Sequence, residues 1–261
     1  MLNLKIFILT LFVLLFNISI LADESDKVTT EPKDFETTKY EDEVYDPLEP
    51  LNRVIFNFNN AADKLILEPV AKGYTKLPNP LQSGISNFLS NLRTPLIALN
   101  QVLQGQFKNA ADTSGRFLIN STAGFFGVID VADKIGLEET KEDFGQTLAT
   151  WGVGDGFYIV LPIFGPSNLR DATGLVMTSL SDPFNAYMIS EGEPFLIPLR
   201  TASNAIDQRS KIIDEVNALR NNSVDYYAAV KSSYYQNRKA AIINDDDSAM
   251  TPFPLISVDF E

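Results

Sequence analysis

Three glycines fall at every second position in residues 151–157 ("WGVGDGF"): Gly152, Gly154 and Gly156, with Asp155 between the last two. Glycine at this spacing leaves little side chain and permits positive φ, so the backbone can bend, pack closely or admit a bulky ligand. Three uses of that freedom compete: a nucleotide loop, a tightly packed turn, and a surface that touches lipid. The dinucleotide fingerprint G-x-G-x-x-G fails, because Phe157 stands where the third glycine is required and no clear strand precedes it. No G-x-x-x-x-G-K-[ST] occurs, and "GPSNL" lacks the closing glycine of a nucleophile elbow. The acid pairs Glu138/Glu139 and Glu142/Asp143 have the right residue types for proton transfer, but they lie in a charge-rich loop or helix start and read as solvated surface.

Composition narrows the chemistry further. The chain has neither histidine nor cysteine. That removes Ser-His-Asp and Cys-His nucleophilic sites in their usual form, His- or thiolate-held metals, and disulfides. No catalytic, metal or cofactor site is expected. The net charge of −13 is concentrated at the ends. Residues 23–46 hold ten acids and three lysines, and residues 245–261 hold five acids and no base, leaving 47–244 with 19 acids and 17 bases. The near-neutral middle argues against nucleic acid, which calls for a basic face.

The elements that would position the glycine loop read mostly as helices. A cationic start (Lys5), sixteen mostly apolar residues to Leu21 and the small Ala22 predict a secretory signal over 1–22, with an uncleaved anchor as the alternative. Residues 23–45 read as an acidic disordered linker, 46–244 as a helical domain and 245–261 as an acidic tail. Asp46, Pro47 and Glu49 suggest a capping box. The following helix carries Leu51, Ile55, Phe58, Ala62 and Leu65/Ile66 as one apolar stripe and is expected to end at Pro69. A second helix (Leu81, Ile85, Phe88, Leu92) is expected to break at Pro95, with the helical period resuming over 96–119. Another starts at Ser167 or Asn168. Residues 199–219 and 223–243 form two more, the latter capped by Ser223. Only "FYIVLPIF" has strand character, and Pro162 limits it to an edge or short hairpin. From Leu77 to Ile129 there are four charges, Arg93, Lys108, Asp112 and Arg116. Such a stretch is either deeply buried or lies against lipid.

Several segments together resemble the MlaA/VacJ family. They are "DPLEPLNRVIFNFN" (46–59), "ISNFLSNLRTP" (85–95), "LNQVLQG" (99–105), "RFLINSTAGFFGVIDVA" (116–132), "DFGQTLATWGVGDGFYIVLPIFGPSNLRD" (143–171) and "SVDYYAAVKSSYYQNR" (223–238). The resemblance implies an all-α fold, a ring of amphipathic helices around a central amphipathic channel, with one glycine-rich loop or short hairpin. It implies an outer-membrane protein that removes misplaced phospholipids from the outer leaflet. Its partners would be a trimeric porin and a periplasmic MlaC-like lipid carrier, and no catalysis is implied.

By matching motif, Gly152, Gly154 and Gly156 fall in the family's flexible loop at the channel. Arg220 matches an arginine associated with the pore, although a cation complementing a helix C-terminus is the plain alternative. Asn57 and Phe58 match the family segment of the first helix. Familiar members are acylated on a cysteine. The absence of cysteine suggests that this chain is not a lipoprotein. The competing functional readings are a porin-bound structural adaptor that moves no lipid and a phospholipase, the latter disfavoured by the missing histidine and nucleophile motif. On the channel reading, "WGVGDG" is a hinge over the mouth, and Gly154→Val, with Gly152→Val, is expected to disturb lipid passage.

Overall fold

The computed structural model describes residues 44–244. The expected signal segment, nearly all of the acidic linker and the tail lie outside the described residues. Val44 already packs against the core, so the folded part takes in the last two residues assigned to the linker.

Helix α1 (Glu49–Ala62) passes through a π-helical turn (Asp63–Leu67) into α2 (Glu68–Tyr74). The chain does not stop at Pro69. The Glu68 N–H reaches back five residues to the Asp63 carbonyl, and Pro69, which has no N–H to place, follows directly on that wider turn. Nor does Asp46 cap α1: Leu48 holds that position without a side-chain bond. The Asp46 carboxylate instead accepts from Asn52 (2.8 Å), Tyr227 (2.6 Å) and Lys231 (3.0 Å).

Helix α3 (Asn79–Leu103) continues through Pro95. An interior proline costs about 3 kcal/mol. Buried residues flank it on both sides, Leu89, Asn91, Leu96 and Ile97 among them, and α3 packs along α4 (Phe107–Thr122), the most extensive helix pair among the described residues. Gly105, at φ +77°, makes the turn between them, so 96–119 is two helices rather than one.

Short α5 (Val131–Lys134) leads to α6 (Phe144–Thr150), capped by Asp143. A hairpin follows, with β1 (Tyr158–Leu161) antiparallel to β2 (Gly165–Asn168) in the register Tyr158 to Asn168. Asn168 then caps α7 (Leu169–Ser181), as its sequence suggests. The remaining helices are α8 (Pro183–Ser190), α9 (Leu196–Lys211), α10 (Ile213–Asn222) and α11 (Tyr226–Ile243). The expected helix over 199–219 is therefore split at Ile212. The last helix is capped by Asp225, while Ser223 bonds the Leu219 carbonyl.

The acid pair Glu142/Asp143 is structural, although the Asp143 side chain keeps a solvated side. Glu142 is buried and accepts from Gln104 (2.8 Å) and Gln146 (2.9 Å). Asp143 caps α6 and takes two bonds from Arg238 at 2.7 and 2.8 Å. The apolar core is small and aromatic. Phe56, Tyr158, Val160 and Tyr227 gather Ile55, Tyr226, Val230, Tyr234 and Tyr235 where α1, β1 and α11 meet. No helix among the described residues is long and apolar enough to cross a membrane.

Candidate functional site

The hairpin that follows the glycine loop is held by two asparagines seven residues apart on α1. Asn52 donates to the Tyr158 carbonyl (3.1 Å) and accepts the Val160 N–H (2.9 Å). Asn59 donates to the Leu161 carbonyl (2.9 Å) and accepts the Ile163 N–H (2.8 Å). Each carboxamide thus takes the place of a peptide group beside the free edge of β1, where an unpaired backbone group would be costly. Val160 spends its N–H on Asn52, so nothing is asked of Pro166 opposite it.

The loop before β1 is anchored at both ends. Gly152 and Val153 donate back to Ala149 and Leu148, and the Trp151 indole donates to the Leu103 carbonyl at 3.0 Å. On the far side the Asp155 carboxylate pairs with Arg170, and the Arg170 and Leu169 N–H groups bond the Asp155 and Phe157 carbonyls. Gly152 (φ +84°) and Gly156 (φ +70°) occupy left-handed backbone. Gly154 does not, and a Cβ there would meet nothing within 4 Å.

Strain thus falls on two of the three glycines, and Gly154 is the free one. Valine at position 152 is expected to cost about 1–2 kcal/mol. Valine at 156 would also press on Leu169 Cβ at 2.9 Å. Thermal melts followed by far-UV circular dichroism should show lowered midpoints for G152V and G156V and an unshifted one for G154V.

Arg220 lies in the last turn of α10 and spends its guanidinium on Asp63 (2.6 Å) and Glu68 (3.1 Å). Arg209 of α9 joins the same two acids, at 2.8 Å from Asp63 and 3.6 Å from Glu68. Two arginines and two carboxylates therefore clasp the π turn. Lys72, 2.7 Å away, is the largest influence on Glu68; burial opposes it, and Asn217 and Arg220 reinforce it, leaving the carboxyl at about 2. A folded pKa below the ordinary value gives stability that is complete above about pH 4.5 and lost as pH falls toward about 2. Midpoints measured across that interval should fall more steeply for the wild type than for Glu68→Gln.

The distribution of polarity is the broadest feature. On α1 the buried side chains are Asn52 and Phe56, while Val54, Phe58, Leu65 and Ile66 around the helix and its π turn face outward. The expected stripe is therefore largely exposed, Phe58 at 57 % and Leu65 at 77 %. Asn57 is exposed as well, so this pair lies off the face that binds the hairpin. On α3, Asn91, Thr94, Asn100 and Gln101 are buried while Leu81, Phe88, Leu99 and Val102 are exposed. Polar groups are thus buried beside Phe56, Leu89, Leu96 and Ile97, and many large apolar side chains sit outside. In water that arrangement leaves large apolar patches unpaid.

Residues 44–241 match a family model described as MlaA lipoprotein. The chain belongs to the MlaA family. It is 36 % identical over 196 residues to the intermembrane phospholipid transport system lipoprotein MlaA of Escherichia coli, covering 73 % of this chain and 76 % of that one. The Haemophilus influenzae protein of the same name is 35 % identical over 205 residues, covering 77 % and 80 %. An uncharacterized protein of Rickettsia typhi is 38 % identical over 201 residues, covering 77 % and 79 %. A solved structure reported as "Structural basis for maintenance of bacterial outer membrane lipid asymmetry" superposes with a TM-score of 0.67 at 35 % identity, covering 76 % of this chain and 98 % of that one.

These names correct one expectation. The want of a cysteine sets the chain apart from lipoproteins on sequence alone, yet the MlaA family model and the Escherichia coli and Haemophilus influenzae relatives are named for lipoproteins. An acyl attachment point is a property of a terminus, and membership rests on the helical domain, 44–241. The missing cysteine therefore does not separate this chain from the family.

The residues missed from sequence are Asn52, Asn59, Asp63, Arg170 and Arg209. The one available signal was on α1. Asn52 and Asn59 recur at helical spacing where a solvated face would carry Lys and Glu.

Proposed function

We propose that this chain works in phospholipid transport at the outer membrane, taking misplaced phospholipids from the outer leaflet and passing them to a soluble MlaC-like carrier in the periplasm. Family membership supports the transport role. The observation that carries the reading is the run of large apolar side chains left exposed on α1 and α3, while carboxamides and hydroxyls are buried beside Phe56, Leu89, Leu96 and Ile97. Such a body is suited to sit within one leaflet. Helices satisfy their own backbone groups there, and charges cost about 3 kcal/mol at mid-bilayer, a cost met here by pairing the guanidinium groups of Arg116, Arg170, Arg209 and Arg220, buried or nearly so, with carboxylates.

In this reading the helices form a ring around an amphipathic channel, beside a trimeric porin. The loop of Gly152, Gly154 and Gly156 borders the mouth, Arg220 faces the polar side of the path, and Asn57 and Phe58 help to seat the ring in lipid. The protein moves lipid without breaking a bond, so no cofactor or metal enters.

Gly154→Val tests the path, because the fold has room for it. Normal membrane abundance with altered surface phospholipid is the expected result. Normal abundance with unchanged surface phospholipid would remove the gate and favour a porin-bound adaptor.

A further inference from the structure

Asp155 is the only charged residue between Phe144 and Leu169. Its carboxylate is half-exposed, and it covers the guanidinium of Arg170, a side chain only 4 % exposed. Arg170 Nε donates to Asp171 at 2.9 Å and Nη1 to Asp155. Its Nη2 is buried and finds no hydrogen-bond partner among the described residues. A guanidinium offers a planar fork of donors that suits a two-oxygen anion, so a buried, idle Nη2 beside an occupied Nη1 is half of an unused fork. Asp171 cannot fill it, since its oxygens already receive Arg238, Tyr234 and Asn168.

We infer that Arg170 is an oxyanion site latched by Asp155, and that a phosphate group entering beside the loop displaces the Asp155 carboxylate and frees the segment between Gly152 and Gly156. The incoming anion replaces one negative charge with another, so the exchange leaves Arg170, Arg238, Asp143 and Asp171 balanced as before. Its oxygens span both Nη1 and Nη2, which the single Asp155 oxygen does not. Positive-φ glycines stand three residues before Asp155 and directly after it, so the carboxylate can swing away without moving β1, which Asn52 and Asn59 hold separately. The inference rests on the transport reading for the lipid's arrival, and it assigns the phosphate, rather than the acyl chains, as the part that opens the loop.

The absence of cysteine makes the test direct. Val153 is half-exposed on the loop, and Val153→Cys in the full chain would carry a single environment-sensitive fluorophore. Dihexanoyl phosphatidylglycerol, inorganic phosphate and dihexanoylglycerol are titrated in nonionic detergent. The phosphatidylglycerol is expected to shift the emission and the dihexanoylglycerol to leave it unchanged. In the Asp155→Ala background the emission should already be shifted without ligand. Affinity for the phosphatidylglycerol should then be about tenfold higher, because no carboxylate competes. Asp155→Asn, which keeps the side-chain shape, should give the same direction.

A response to inorganic phosphate as strong as that to the lipid would support the exchange with any phosphate oxyanion. A response to the lipid alone would support the headgroup as its source. Equal emission and equal affinity in the two backgrounds, or an equal response to dihexanoylglycerol, would overturn the latch. That failure is distinguishable from failure of the transport reading, which shows in cells as unchanged surface phospholipid when the whole gene is removed.

Discussion

Valine at position 174 is expected to abolish the fold. A Cβ on Gly174 would stand 2.8 Å from Gly145 Cα and 3.0 Å from the Phe144 carbonyl carbon. Both are backbone atoms, so no change of rotamer relieves the contact. Gly145 cannot retreat, because the place of its own Cβ is filled by Arg238 and by Asp171 Oδ1 at 2.6 Å. Arg238 ties the same crossing of α6 and α7 by bonding Asp143 at 2.7 and 2.8 Å and Asp171 at 3.0 Å. Overpacking of this kind costs about 1–3 kcal/mol where side chains can give and more where only backbone can move. A typical domain holds about 5–15 kcal/mol in all, so loss of the crossing and of its ion cluster together removes most of it. Protein level in the membrane fraction and far-UV circular dichroism should both collapse for Gly174→Val. Gly73→Ala is the control. A Cβ there meets nothing within 4 Å, and alanine is a better helix former than glycine, so its melting midpoint should hold or rise.

This crossing was present in the sequence only as two glycines in helical segments. Helical class, the first strand of the hairpin within "FYIVLPIF" and the Asn168 cap were legible, because periodicity, β-branched content and capping chemistry are local; the second strand, Gly165–Asn168, has no such signal. The side to which a stripe turns was not. The period of Leu51, Ile55, Phe58 and Leu65 shows that one face of α1 is apolar, and the habit of water-soluble proteins places that face inward. In this fold Asn52 and Phe56 turn inward instead. Pro95 was misread for a related reason: local cost favours a break, and packing on both sides of the proline outweighs it. Partners far apart in sequence were out of reach altogether. Arg220 finds Asp63, 157 positions away, and nothing near either residue announces the pair.

Asn52→Asp, a change of one atom, is expected to cost about 3–5 kcal/mol at neutral pH, as for a buried charge left without compensation. Asn52 is 2 % exposed and donates to both Asp46 Oδ1 (2.8 Å) and the Tyr158 carbonyl (3.1 Å). A carboxylate donates to neither and would face the buried Asp46 carboxylate at hydrogen-bond distance. In the wild type, burial pushes the Asp46 carboxyl up, but bonds from Tyr227, Lys231 and Asn52 outweigh it and hold it below the ordinary carboxylate range. That contribution is present above the ordinary carboxylate pKa and is lost as pH falls through the folded value. In the variant, two carboxylates share one site, so one of them is raised. Its protonation restores a donor between positions 46 and 52. Acidification should therefore raise the melting midpoint of Asn52→Asp while pH is still above the ordinary carboxylate pKa, and lower that of the wild type only below it. A variant that follows the wild-type slope would show that Asn52 does not bridge Asp46 to the hairpin.

The most direct measurement is the amount of phospholipid in the outer leaflet of cells that lack this gene, with and without its return on a plasmid. Accumulation of surface phospholipid in the deletion strain, reversed by the wild-type gene, is the predicted result. Surface phospholipid that is unchanged by the deletion, with the protein shown to be made in the parent strain, would contradict the transport function proposed for this chain.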